Sequence, residues 1–315
     1  MQPIPSRDLS HRSFGTRLRR NLRLFRMDFV IYCMLLPTLL FFLIFRVWPI
    51  LNMRLAFFDF KARGPWVYVG LKYFRQIFMT PLFGNILRNT LIISFMKYVL
   101  MFPLFVLFAI ALSEMRLHRA RQFVQVVSYL PHFLSWVVIA GVWVNFLSPT
   151  RGAVNEIIGW FGGQPRSFMT GKGTIRWVLF FSEAWRSLGW DSILYFTTII
   201  GISPSLYESA DLDGANRPQI IRYIVLPMLL GPMSTMFILN LGYFLSAGFD
   251  QVINFTNPAV NSAIDILDTY IYRIGLQNGQ YSLATAVGLF KGVVGMALVL
   301  ATHVASRKIT GEGVW

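Results

Sequence analysis

The sequence predicts an all-α, polytopic membrane protein with six transmembrane helices. Hydrophobic residues make up 55% of the 315 residues and charged residues only 14%, which is more apolar than a soluble domain requires. The apolar residues form runs long enough to cross about 30 Å of hydrocarbon as helices, and the spacing lacks the short alternating strands of a membrane barrel. The six runs are residues 29–49, 89–113, 121–147, 176–202, 221–247 and 281–304.

The basic residues predict the orientation. The formal net charge is +15, but the lysines and arginines lie mostly in tails and turns between apolar runs, which indicates membrane orientation rather than a nucleic-acid partner. Residues 1–28 carry seven arginines, and the run after them ends without a small-residue cleavage site, so we expect a retained first helix. Both tails, 1–28 and 305–315, are then cytoplasmic, and the connections 50–88, 148–175 and 248–280 face outward.

Charged residues inside the predicted spans are few, and each must be paired or hydrated in the membrane. Glu183 and Arg186 lie three residues apart on one helical face, and Asp191 lies roughly on that face too. One interpretation is an internal ion pair that fixes helix packing. The other is a polar stripe along a water-filled path, where aromatic rings offer flat surfaces on which sugars stack. The candidate path residues are Trp185, Arg186, Trp190, Asp191, Tyr195, Asn240 and Lys291.

A short polar helix is predicted over about residues 204–214, directly before the fifth apolar run. Ser205 and Glu208 match a capping box at its start, and Gly214 is well placed to end it. Asn216 can then cap the next helix, with Pro218 in its first turn. The acids Asp211 and Asp213 stand at the C-terminal end, where the helix dipole disfavours them. This placement suggests a basic external partner, although a solvated turn also tolerates it.

The same segment carries a family motif. Glu208-Ser209-Ala210, then Gly214, then Ile224-Val225-Leu226-Pro227 has the spacing E-A-A-x3-G-x9-I-x-L-P, with serine at the second position. It resembles the signature loop of permease subunits in binding-protein-dependent ABC importers of the type I fold. Five further stretches resemble the oligosaccharide and polysaccharide branch, including the permease subunits of bacterial alginate importers. They are residues 129–142, 188–196, 248–260, 268–276 and 279–291.

The resemblance implies a multi-pass subunit of the bacterial inner membrane. It implies a second permease subunit, a paralogue, that completes the path, two cytoplasmic ABC ATPases that bind ATP and Mg, a solute-binding protein outside, a saccharide substrate and surrounding lipid. The segment 204–214 becomes the coupling helix, with Glu208 docking on the ATPase, Ala210 allowing close approach, Gly214 giving the turn and Pro227 bending the fifth helix. The implied coupling residues are Glu208, Ser209, Ala210, Asp211, Asp213, Gly214 and Pro227.

The charge of the substrate has two interpretations. Arg186, Lys291 and the cations of the first outer connection favour an acidic glycan such as alginate. Alternatively, Arg186 and Lys291 pair internally with Glu183 and Asp191, and the outer cations contact lipid headgroups or the binding protein. Those outer cations are Lys61, Arg63, Lys72 and Arg75.

The sequence predicts no enzymatic site. A P-loop requires G-x4-G-K-[ST], and the nearest stretch, residues 166–173, has arginine and glycine at two required positions. No catalytic residue, metal site or resident cofactor is predicted, and ATP is bound by the partner ATPase. Two other classes stay open: an ion-coupled secondary transporter using Glu183 and Asp191 near the midplane, and a membrane receptor or assembly subunit that transports nothing.

Overall fold

The computed structural model describes residues 29–310, whose regular secondary structure is helical apart from one antiparallel two-stranded hairpin. The chain forms two compact units, Met1–Arg54 and Leu55–Trp315. The predicted N-terminal tail and residues 311–315 of the predicted C-terminal tail lie outside the described residues.

Fourteen helices are numbered in order along the described chain. They are α1 (Phe29–Phe57), α2 (Lys72–Met79), α3 (Pro81–Ser113), α4 (His118–Phe133), α5 (Trp136–Phe146), α6 (Ala153–Trp160), α7 (Ile175–Asp191), α8 (Ile193–Ile200), α9 (Pro204–Leu212), α10 (Arg217–Leu241), α11 (Phe249–Phe255), α12 (Asn261–Ile264), α13 (Leu267–Tyr272) and α14 (Tyr281–Thr310). The strands are β1 (Phe58–Asp59) and β2 (Val67–Tyr68), with Phe58 opposite Tyr68.

Within residues 29–310, four helices are long and apolar enough to cross a membrane: α1, α3, α10 and α14 up to Val304. A helix suits this environment because it satisfies its backbone hydrogen bonds internally. The number of candidates rises to five if α4 and α5 count as one bent span. The all-α membrane fold is confirmed, whereas the span number of six stays a prediction.

The third predicted span, residues 121–147, is not one continuous helix. Helices α4 and α5 meet at an angle of 108°. Pro131 is the second residue of a 3-10 turn, Leu130–Phe133, at the end of α4, and Leu134 is extended. Ser135 caps α5 by accepting a hydrogen bond from the Val138 amide at 3.4 Å. Proline lacks the amide that a continuing helix needs, and an N-cap serine starts a new one, so the bend has a local cause.

The predicted fourth run, 176–202, is also divided, into α7 and α8 at Ser192. The Ser192 hydroxyl donates back to the Gly189 carbonyl at 2.7 Å. Gly189 itself packs against α4: a Cβ there would lie 2.5 Å from the Ser128 carbonyl oxygen. Only glycine lets these two backbones approach so closely, and this contact fixes α7 beside the bend.

The connection 248–280 is packed into the protein rather than looped over it. Val252, Phe255 and Ile264 are almost completely buried in a core formed with α5 and α7. Arg176 of α7 strengthens the contact by donating to the Ala263 carbonyl at 3.1 Å. Helices α11 and α12 are therefore packed against α5 and α7 as part of one buried core.

Candidate functional site

Helix α9 begins differently from the prediction. Its N-cap is Ser203, Pro204 is its first residue, and Ser203 makes no capping bond to the helix backbone. The predicted capping box of Ser205 and Glu208 is wrong, because Ser205 already lies inside the helix, where its hydroxyl is 2.8 Å from that of Ser203. Proline favours the first helical position, so the helix starts earlier than the serine pattern suggested. Glu208 is thus free of a capping role.

The end of α9 matches the prediction. Gly214 has φ of +74°, a conformation that favours glycine. The Ala215 amide donates to the Ala210 carbonyl at 2.9 Å, and the Gly214 amide to the Asp211 carbonyl at 3.1 Å. These two bonds form a Schellman motif, which satisfies carbonyls that the helix end would leave unpaired.

The next helix starts with the predicted cap. The Asn216 side chain accepts from the Gln219 amide at 3.0 Å, and the Gln219 side chain accepts from the Asn216 amide at 2.7 Å. This capping box, with Pro218 in the first turn, starts α10 at Arg217, three residues after Gly214. A π-helical turn, Ile221–Val225, then precedes Pro227. The extra residue in this turn accommodates the proline, which has no amide to donate.

One face of α9 rests on the protein and the other is exposed. Tyr207 and Ala210 are half-buried against the core beneath α9. Burial, with a smaller contribution from the Glu114 carboxylate, raises the pKa of the Tyr207 phenol. The exposed residues of α9 and its C-terminal turn are Pro204, Ser205, Leu206, Glu208, Ser209, Asp211, Leu212, Asp213 and Gly214. The three acids of this exposed set, Glu208, Asp211 and Asp213, form no ion pair with any residue that the structure describes.

A polar cavity of about 340 Å³ lies between α3, α5, α7, α8 and α10. Its charged and hydrogen-bonding lining residues are Lys97, Tyr98, Trp136, Glu183, Arg186, Ser187, Asp191, Tyr195 and Asn240. Helix α7 presents four of these residues because Glu183, Arg186, Ser187 and Asp191 recur at helical spacing on one face. The predicted polar stripe therefore does face an open space.

The charges in this cavity are arranged differently from the predicted ion pair. Glu183 pairs with Lys97 of α3, with 3.0 Å between Nζ and Oε2, and accepts a hydrogen bond from Ser187 at 3.1 Å. Arg186 does not pair with Glu183. Its guanidinium lies 5.1 Å from the centre of the Trp136 ring, and its buried Nε has no hydrogen-bond partner. Asp191 is exposed and forms no ion pair with the described residues.

Four predicted path residues, Arg186, Asp191, Tyr195 and Asn240, line the cavity. The other three do not. Trp185 lines an apolar groove together with residues of α4 and α5, and Trp190 stacks on His132 with ring centres 4.3 Å apart. Lys291 pairs with Asp268 of α13 rather than with Glu183 or Asp191. The hypothesis that Lys291 is the counter-ion of either acid is thus wrong.

Comparison with known proteins gives the family. No family model matches the chain. The chain is 35% identical over 290 residues to the polygalacturonan/rhamnogalacturonan transport system permease protein YteP of Bacillus subtilis, an alignment that covers 90% of each chain. It is 35% identical over 288 residues to Protein LplB of the same organism, covering 90% of this chain and 91% of that one.

A solved structure agrees. It is of a bacterial ABC transporter involved in the import of the acidic polysaccharide alginate, and one of its chains matches with a TM-score of 0.86 and 37% identity, covering 92% of this chain and 99% of that one. The chain belongs to the permease family of carbohydrate ABC importers. A second structure, of such an alginate transporter in complex with an alginate pentasaccharide-bound periplasmic protein, matches the permease with 38% identity.

Membership in this family confirms the resemblance found in the sequence and the fold class. The relatives are transport subunits and not enzymes, and the ATPase of such a system is a separate partner. The alternative of an ion-coupled secondary transporter is not favoured. The geometry agrees, since Glu183, one of the two acids it would use, is already neutralised by Lys97.

Five polar residues that line the cavity are not among the predicted path residues: Lys97, Tyr98, Trp136, Glu183 and Ser187. Glu183 was predicted only as a member of the polar stripe. For Lys97 a signal existed, because a lysine within a predicted span must find a partner or water. Nothing in the sequence pointed to Trp136, which reaches the cavity only because the chain bends between α4 and α5.

Proposed function

We propose that this permease forms half of the translocation path for an acidic oligo- or polysaccharide. The named relatives support the substrate class, since polygalacturonan and alginate both consist of uronic acids. Arg186 carries the proposal within the chain, because it lines the described cavity, forms no ion pair with a described carboxylate and has a buried Nε without a hydrogen-bond partner. A guanidinium binds a carboxylate through two parallel hydrogen bonds, and it does so more strongly where water is excluded.

The other lining groups suit the rest of a sugar. Asp191 and Asn240 offer acceptors and donors for hydroxyl groups, and Tyr195 adds a phenol at the buried end of α8. Lys291 no longer supports an acidic substrate, because Asp268 neutralises it. The cations Lys61 and Arg63 are exposed between β1 and β2, on the side that we expect to face the binding protein.

We further propose that α9 is the coupling helix. In this proposal both termini are cytoplasmic, a second permease subunit completes the path, and two ATPases beneath bind ATP and Mg. The exposed, unpaired Glu208, Asp211 and Asp213 would meet basic groups of an ATPase, while the small exposed residues Ser209 and Gly214 allow close approach. Ala210, the remaining small residue of the motif, packs α9 against the permease itself. ATP binding would then bias a two-state membrane domain through contacts that differ between the states. Pro227 and its π-helical turn lie where α10 would receive this movement.

Reconstitution of the complete importer in proteoliposomes tests the proposal. The permease, its partner permease and the ATPases are purified together, and uptake is measured with the solute-binding protein outside and ATP inside. We expect ATP-dependent uptake of oligogalacturonate or oligoalginate and much weaker uptake of neutral malto-oligosaccharide. Equal uptake of acidic and neutral sugars would contradict the substrate class. Uptake that survives without ATP but stops when the proton gradient is removed would contradict the coupling.

A further inference from the structure

Lys97 makes two strong contacts in the wall of the polar cavity. It lies in the π-helical turn Met96–Leu100 of α3, and its side chain is 6% exposed. Its ammonium pairs with Glu183 at 3.0 Å and donates a hydrogen bond to the Ala247 carbonyl at 2.8 Å. A buried lysine requires such partners. Lys97 thus joins α3 and α7 to the turn between α10 and α11.

That turn has an unusual backbone. Ala247 has φ of +37° and is the only described residue other than glycine with a positive φ. The Cβ of alanine disfavours this conformation, which persists only where surrounding contacts impose it. Gly248, with φ of +85°, follows directly, and a Cβ on it would lie 2.4 Å from Lys97 Nζ. The lysine therefore occupies the space beside the glycine and holds the carbonyl of the strained alanine.

The turn at Ala247 and Gly248 also joins α10, which continues from α9, to α11, which is fixed to α7. On one side, α10 continues from α9 through the capped corner at Gly214 and Asn216. On the other side, α11 is fixed to α7, because the buried Gln251 amide donates to the Leu179 carbonyl at 2.7 Å and to the Ser182 hydroxyl at 2.8 Å. Movement of α9 and α10 against α7 must be absorbed near Ala247 and Gly248.

We propose that Ala247–Gly248 is a hinge of the transport cycle and that Lys97 is the positioning residue that latches it in the conformation described here. This inference rests on the proposed coupling function of α9. When α10 moves, the Ala247 carbonyl leaves Lys97 and Ala247 relaxes to an ordinary right-handed conformation, while Lys97 keeps its ion pair with Glu183. Backbone strain at a functional cavity is a common basis of such two-state elements.

Two substitutions should act in opposite directions on ATP hydrolysis by the complete importer without binding protein. Lys97→Met removes the latch and should raise this basal rate about tenfold, the effect of losing one charged hydrogen bond. Ala247→Gly removes the strain but keeps every contact of Lys97, so it stabilises the latched state and should lower the rate about tenfold. If Lys97 and Ala247 only supported the fold, the two substitutions would not change the basal rate in opposite directions.

Two further variants act as controls. Lys97→Met combined with Glu183→Gln avoids a buried unpaired carboxylate, so a rise in the basal rate must persist in it. Ala140→Gly lies inside α5, where no positive φ is involved, and should leave the basal rate unchanged. Ala247→Gly preserves all side chains of the cavity and should assemble normally, which makes it the decisive variant.

Recruitment of the ATPase is measured for every variant by co-purification. If wild-type permease recruits the ATPase but Ala247→Gly hydrolyses ATP at the wild-type rate, the hinge is overturned and the proposed function stands. The hinge is also overturned, and the proposed function again stands, if Lys97→Met and Ala247→Gly both raise or both lower the basal rate of ATP hydrolysis. If wild-type permease recruits no ATPase, the proposed function fails, and the hinge falls with it.

Discussion

Lys291 of α14 and Asp268 of α13 form an ion pair that lies outside the polar cavity. Both side chains are only about one-fifth exposed, at 21% and 19%. They line a separate cleft together with Gly288 and Gly292. The lysine therefore holds two helices together, and its ammonium is paired in a cleft other than the one that Arg186 lines.

Lys291→Met should reduce stability without changing substrate selection. Removing one partner leaves Asp268 largely buried and unpaired, which costs about 3 kcal/mol. Thermal unfolding of the purified importer measures the loss, and the ratio of acidic to neutral uptake measures selection. The double variant Lys291→Met with Asp268→Asn should recover much of the stability. A fall in acidic uptake alone would show that Lys291 contacts substrate.

Arg186→Met should reduce uptake of acidic oligosaccharide about tenfold and leave neutral uptake nearly unchanged. The reason is the loss of a charged hydrogen bond to a sugar carboxylate, typically about 1.5–3 kcal/mol. Arg222→Met, an exposed arginine on α10, is the matched control and should behave as wild type. Equal losses for both sugars would mean that Arg186 supports the fold of the cavity through Trp136.

Glu208→Gln should weaken binding of the ATPase without destabilising α9. Glu208 makes no capping bond, so the helix loses nothing internally, whereas an exposed charge at an interface affects association. Titration of the purified ATPase against permease in nanodiscs measures affinity, with about a fivefold loss expected. Glu156→Gln on α6 is the charge-matched control. Unchanged affinity in Glu208→Gln would remove Glu208 from the docking contact.

Gly189→Ala should destabilise the contact of α4 with α7. Its Cβ would lie 2.5 Å from the Ser128 carbonyl oxygen, and forcing atoms into a packed contact costs about 1–3 kcal/mol. Gly141→Ala in α5 meets nothing within 4 Å and should be tolerated. Thermal unfolding of both variants provides the comparison, and similar unfolding temperatures would argue against a tight contact at Gly189.

The sequence predicted those features that depend on local chemistry. The Gly214 end of α9 and the Asn216 cap of α10 follow from glycine's access to positive φ and from the asparagine side chain. Features that depend on long-range contacts could not be predicted in this way. Glu183 pairs with Lys97, 86 positions earlier in the chain, although Arg186 is its neighbour on the same helix face. Helical spacing shows which residues share a face, but not which other helix packs against that face.

The corner between α9 and α10 has a mechanical consequence. The Schellman motif closes one helix and the capping box opens the next, so the backbone amides of Gly214, Ala215 and Asn216 all donate within the corner. A corner of this kind is rigid, so it absorbs little of a displacement of α9. A displacement imposed on the short helix must then reappear as a tilt of the long one, and the transmission depends on the backbone bonds at Gly214 together with the side chains of Asn216 and Gln219.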